Sequence, residues 1–201
     1  MTAGARQRNR SSAARAAFLV LSVVVAEPAA AQVRASERGR ISQTVDGTTI
    51  TIDYARPRMR GRSPIFGGLV RWGEVWTPGA NMATTLEADR DIAIDGHEVP
   101  KGRYSVWLVV ERDGPWTLVL DPDADRFHTS RPGERPGQIR FPVETQAAPE
   151  TEVLTWSFPE ISATGTAAVM QWADRVVRLP ITVTPRSPPA PASAAGPGSR
   201  S

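Results

Sequence analysis

The chain has no cysteine. That excludes disulfide staples, thiolate metal sites, a cysteine nucleophile and a lipid anchor on a lipobox cysteine. Histidine occurs only at His97 and His128, 31 positions apart and without an H-E-x-x-H spacing. A zinc centre therefore has no ligand set. Lysine occurs once, at Lys101, against 23 arginines. Arginine abundance is thus a habit of the whole chain and says little at any one position. No apolar run reaches the roughly 20 residues that a membrane-spanning helix needs. There is no G-x-S-x-G nucleophile elbow. GRSPIFGG, at 61–68, lacks the following lysine and helix of a phosphate loop. No ten-residue segment after the leader has helical periodicity. No motif implies a cofactor.

The two ends read as something other than fold. Arg6, Arg8, Arg10 and Arg15 precede the apolar eleven-residue run Ala16 to Ala26, and Ala29 and Ala31 occupy the small-residue positions of an A-x-A cleavage site. This is the pattern of a secretory signal peptide over residues 1–31, with a mature start near Gln32. Its arginines are never adjacent, which favours general secretion over the twin-arginine route. The expected location is the periplasm or the extracellular space, with no membrane anchor after cleavage. The whole chain carries 24 basic and 21 acidic residues, but the leader holds four arginines and one acid, so twenty of each sign remain. A neutral chain has no overall basic field for nucleic acid or anionic membrane. PRSPPAPASAAGPGSRS, residues 185–201, has no large apolar side chain and reads as a disordered tail. Residues 32–38 read as loose, and 39–184 as one folded domain.

Between these ends the signals are those of strands. Asp46-Gly47, Asp95-Gly96 and Asp113-Gly114 each separate two β-like runs, and Asp-Gly tolerates the positive φ of tight hairpins. Val99-Pro100-Lys101-Gly102 fits a type I turn. Ile50, Ile52 and Tyr54 share one face of a strand. Trp116, Leu118 and Leu120 share another, as do Leu154, Trp156 and Phe158, and Ala168, Met170 and Trp172. YSVWLVV (104–110) is apolar on both faces, hence central. Pro180 within VVRLPITV marks an edge or a bulge. Eight to ten short antiparallel strands imply an all-β sandwich, with a flattened barrel as the alternative.

ISQTVDGTTITIDYARPRMRGR, IFGGLVRWGEVWTPGANMATTL and VPKGRYSVWLV together carry a resemblance. Ser42 to Thr44, Tyr54 to Pro57, Gly61-Arg62, Ile65 to Leu69, Trp72 to Trp76 and Gly79 to Thr84 follow the pattern of the bacterial family of unknown function DUF2911. The likeness spans about residues 40–183, with 121–150 richer in proline and arginine than the pattern. It implies an exported β-protein and no particular reaction.

The connection 61–81 is long and aromatic, and long irregular connections in compact domains are functional or disordered. Trp72 and Trp76 offer stacking faces, and Glu74, Asn81 and Thr84 offer directional polar contacts. The alternative is a stiff corner whose tryptophans plug one end of the sandwich, with Asn81 bonding its own turn. Arg56, Arg58, Arg60 and Arg62 stand at alternate positions. If extended, all four point one way, as an anion site needs; otherwise they pair with acids such as Asp53 and Glu74. Asp121, Asp123 and Asp125 have the 1-3-5 spacing of a calcium loop, but Arg126 and Pro132 stand where an EF-hand needs glycine and glutamate. Only a looser calcium site is open to them. His97 follows a turn and reads as solvated; His128 is the better base. Three readings follow. The first is a non-catalytic binding module for a small ligand, a glycan or a protein partner, using the 61–84 face with Arg56, Arg62 and His128. The second is an assembly domain of the cell envelope. The third is a hydrolase using Glu74 or His128, with no nameable second carboxylate.

Overall fold

The computed structural model describes residues 36–185. The leader and the tail beyond residue 185 lie outside the described residues. Among the described residues there is no helix; eleven strands form two antiparallel sheets. Strands β1 (Glu37–Val45), β2 (Thr48–Arg56), β3 (Glu74–Trp76) and β4 (Thr85–Ala88) come first. Then follow β5 (Ile92–Ile94), β6 (His97–Val99), β7 (Gly102–Val110) and β8 (Trp116–Asp121). Last are β9 (Ile139–Val143), β10 (Thr145–Ser157) and β11 (Gly165–Val183). The expected start at residue 39 falls two residues inside β1. The strand count exceeds the expected range by one, and β10 and β11, at 13 and 19 residues, are not short.

The seven-stranded sheet runs β1-β2-β4-β7-β8-β9, with β3 also on β7; the four-stranded sheet runs β10-β11-β5-β6. The two sheets face each other as a sandwich and do not close into a barrel. Alternation sets what lies between them. Ile50, Ile52, Leu86, Val106, Leu108 and Leu118 come from one sheet, and Ile94, Leu154, Trp156, Met170 and Trp172 from the other. Each such large side chain contributes roughly 1.5–3 kcal/mol when buried. With no disulfide available, this core carries the fold.

Two of the three Asp-Gly pairs make the tight turn their chemistry allows; at Asp113-Gly114 only the glycine takes positive φ, 83°, within the longer connection 111–115. Asp46 and Gly47 take φ of 43° and 70° between paired Val45 and Thr48. Asp95 and Gly96 take 49° and 79° between Ile94 and His97. Two successive positive φ values make the hairpin turn whose twist matches the strands. Pro180 has a positional explanation. β10 covers β11 only as far as Val177, opposite Thr145, so the missing N–H falls where β11 has lost that neighbour. Its carbonyl still accepts from the Asp95 N–H at 2.8 Å.

β7 is central, paired with β8 on one edge and with β4 and then β3 on the other. Both its faces are covered. Trp107, 0% exposed, points away from the sandwich interior into a second, smaller cluster with Ala83 and Val119, against which Val75 and Val109 pack. Two loops make that outer cover: 77–84 and 122–138.

Candidate functional site

The stretch 61–84 is a packed corner. Phe66 meets Trp76 edge-on at 5.5 Å and Trp116 at 5.0 Å. Trp76 stacks on Trp172 of β11 at 5.7 Å, with 16° between planes. Trp72 lies over Gly67, whose φ is 83° and whose missing side chain leaves room for the indole. Both tryptophans of the corner are half-buried and pack against the main core. Glu74 accepts the Arg71 N–H at 2.9 Å and pairs with Arg131 of the distant 122–138 loop.

The chain leaves the line of the sheet after β3 and returns at β4, and both exits are pinned to Val106. Thr77 Oγ1 donates to the Val106 carbonyl at 2.9 Å, and the Val106 N–H donates to the Thr84 carbonyl at 2.7 Å. Thr84 is fully buried; its N–H donates to Thr77 Oγ1 and its hydroxyl to the Pro78 carbonyl. Trp156 of the other sheet donates to that same carbonyl at 3.2 Å. Thr84 therefore closes a loop and has no exposed surface for a ligand. Asn81, at φ 61°, donates to the Ser36 carbonyl at 3.3 Å rather than bonding its own turn.

The alternating arginines do not share a face. Extension fails at Arg60 and Gly61, with φ of 54° and 71°, where the chain turns and the Arg62 N–H bonds the Met59 carbonyl. Arg62 folds its guanidinium back onto the Met59 and Arg58 carbonyls. Arg56, at the end of β2, donates to Thr155 Oγ1 at 3.2 Å. Asp53 is engaged by Arg38 and Arg40, each at 3.0 Å, not by the 56–62 arginines.

The three aspartates after β8 turn to arginines. Asp121 is 0% exposed and accepts from Arg135, from Gln138 at 2.7 Å and from the Asp123 N–H at 2.9 Å. Burial pushes its carboxyl up. The bonds from Arg135, Gln138 and Asp123 outweigh burial and hold it at about 2. Asp123 pairs with Arg126 at 3.1 Å, and Asp125 with Arg103 at 2.9 Å. Arg126 and Arg135 each lie between Asp121 and Asp123, and among the described residues no three His, Cys, Asp or Glu side chains are grouped to hold a metal. Ser105 extends the network: its hydroxyl donates to the Asp123 carbonyl at 2.7 Å and accepts from Trp107 Nε1 at 3.0 Å. Residues 122–138 are thus a strap tied over the outer face of the sheet.

Where strap and loop meet, two sequence candidates come together. His128 N–H donates to the Asn81 carbonyl at 2.8 Å, and the Ala83 N–H donates to the Arg126 carbonyl at 2.8 Å. Met82 and Phe127 are bridged between them. This makes a short antiparallel ribbon in which Met82 and Phe127 form a non-hydrogen-bonded pair, the kind that brings side chains closest. The pair is 49% and 46% exposed. The His128 ring lies 4.4 Å from that of Phe127, and its Nδ1 is 2.8 Å from the Asn81 carbonyl. A carbonyl only accepts, so Nδ1 carries the proton and Nε2 is an acceptor in the neutral ring. His97 is exposed and stacks on Phe141 at 4.2 Å.

The profile of the family "Protein of unknown function (DUF2911)" matches residues 36–181. The chain belongs to DUF2911. The match takes in β1 to most of β11, including the corner, the strap and the ribbon. No curated protein and no solved structure matches the chain. Within this DUF2911 domain, sequence reading missed Met82, Phe127, Arg131 and Arg135. Phe127 carried a usable signal as the one aromatic ring among the polar and proline residues of 122–138. The arginines carried none, because their partners are set by tertiary contact.

Proposed function

We propose that this DUF2911 domain is an exported, non-catalytic binding module that works in the periplasm or outside the cell. Its contact surface is the Met82–Phe127–His128 ribbon, not the tryptophan corner. One observation carries the reading. Two large apolar side chains stand opposite each other in water on a ribbon fixed by hydrogen bonds and by a strap anchored on buried Asp121. Single exposed apolar side chains are ordinary on a protein surface, but two large ones held side by side on a rigid base offer a small preformed contact surface. Trp72 and Trp76 support that surface indirectly, since they pack the corner from which Glu74 reaches Arg131 of the strap.

The arrangement favours binding over hydrolysis. Glu74 is engaged by a guanidinium and a backbone N–H, and Nδ1 of His128 faces a carbonyl where a triad would place a carboxylate. The test is thermal unfolding against oligosaccharides, peptidoglycan fragments, apolar peptides, anions and calcium. A ligand at about 100 times its dissociation constant stabilises by roughly 2.7 kcal/mol, which raises the melting point by about 5–10 °C. The reading expects one class to do so, and the shift to vanish in the Met82→Ser, Phe127→Ala double variant. A shift that survives the double variant, or none with any class, overturns it.

A further inference from the structure

We infer that the occupant of the ribbon is an uncharged sugar, whose apolar ring face lies on Phe127 and Met82 while a hydroxyl donates to His128 Nε2. The inference rests on the binding reading above and adds the ligand class. Charge balance is the first argument. Every arginine of the strap is already paired: Arg126 with Asp123, Arg131 with Glu74, and Arg135 with Asp121. Its acids are paired too: Asp123 with Arg126, Asp125 with Arg103, and Glu134 with Arg140. Each carboxylate and guanidinium of the strap has a partner of opposite sign, so the strap offers no net charge to a ligand.

Size is the second argument. A stable protein interface takes roughly 800 Å² and 20–30 residues on each side. The apolar surface here is one ring and one thioether, bordered by ion pairs. That matches one pyranose face, which stacks on an aromatic ring through its C–H groups. Polarity is the third. Nε2 of His128 makes no hydrogen bond among the described residues and is absent from the buried polar atoms lacking a partner, so it reaches solvent. It is an acceptor beside an aromatic face, and a sugar hydroxyl is a donor beside an apolar one.

The test is calorimetric titration of the full-length chain with the hexasaccharides of glucose and of N-acetylglucosamine, a sulfated hexasaccharide, and an apolar peptide. Three chains are compared: wild type, Phe127→Ala and His128→Asn. The asparagine amide can still donate to the Asn81 carbonyl, so the ribbon stays closed while the Nε2 acceptor is removed. A neutral hexasaccharide is expected to bind, to weaken roughly tenfold in Phe127→Ala, and to weaken several-fold in His128→Asn. Neutral sugar binding that neither substitution changes overturns the inference, as does tighter binding of the sulfated sugar. If only the peptide binds, and Phe127→Ala abolishes it, the sugar assignment falls while the binding-module reading stands. If no probe binds, both fall.

Discussion

Asp121→Asn isolates the anchor of the strap. The side chain is fully buried and nearly isosteric with asparagine, so the substitution removes a charge without opening a cavity. The folded-state pKa falls from 3.8 to about 2, despite a burial effect that alone would raise it. At 1.36 kcal/mol per unit, the ionised carboxylate contributes roughly 2–3 kcal/mol. Arg135 is 40% exposed and regains water when its partner is lost, so the cost stays near that figure. The sign follows from linkage. A carboxyl depressed in the folded state stabilises fully above its unfolded pKa, and the gain fades as pH falls through the folded value. Denaturant unfolding of wild type and variant from pH 3 to pH 7 reads the difference directly. It should be roughly 2–3 kcal/mol and flat above pH 5, and shrink to about half by pH 3. At neutral pH the melting point should drop by about 5–10 °C. A difference that is absent at pH 7, or undiminished at pH 3, refutes the assignment of Asp121 as the ionised anchor.

Trp76→Ala should cost about 2–4 kcal/mol, because the ring stacks on Trp172 and meets Phe66 while half-buried. An unchanged melting temperature by calorimetry would sink the packed-corner account. Ser105→Ala should cost about 1–3 kcal/mol by leaving the buried Trp107 N–H without an acceptor; denaturant midpoints would show it. Met82→Ser should leave the melting temperature within about 2 °C, since a half-exposed side chain contributes little to the core. A large drop would mean that Met82 serves packing rather than contact.

Much of the sandwich was legible because its signals are local. Ile50, Ile52 and Tyr54 declare a buried face by alternation alone, and Asp46-Gly47 declares its turn through the φ values those two residues tolerate. The corner was half legible. Its aromatic content showed that it packs or binds, but Trp76 finds Trp172 across 96 positions, and nothing near Trp76 names that partner. The arginines misled because one left-handed residue, Arg60, breaks the extension on which the alternation depended. Asp121 carried a calcium spacing, yet Arg135, 14 positions away, supplies its positive charge. The ribbon was legible only in pieces. Asn81 and His128 stood out as residue types, but 47 positions separate them. Their meeting depends on the loop pinned at Val106 and on the strap tied at Asp121.

The binding claim is tested most directly at Met82 itself. The chain has four methionines; Met59 and Met170 are buried in the core, while Met82 is exposed on the ribbon. Methionine-methyl labelling therefore puts a reporter on the proposed contact surface and two controls inside the fold. Titrated with neutral oligosaccharides and then with apolar peptides, the Met82 methyl signal should move and saturate while those of Met59 and Met170 hold still. A ligand that binds and shifts the buried methyls but leaves Met82 unmoved would place the binding surface elsewhere and contradict the account.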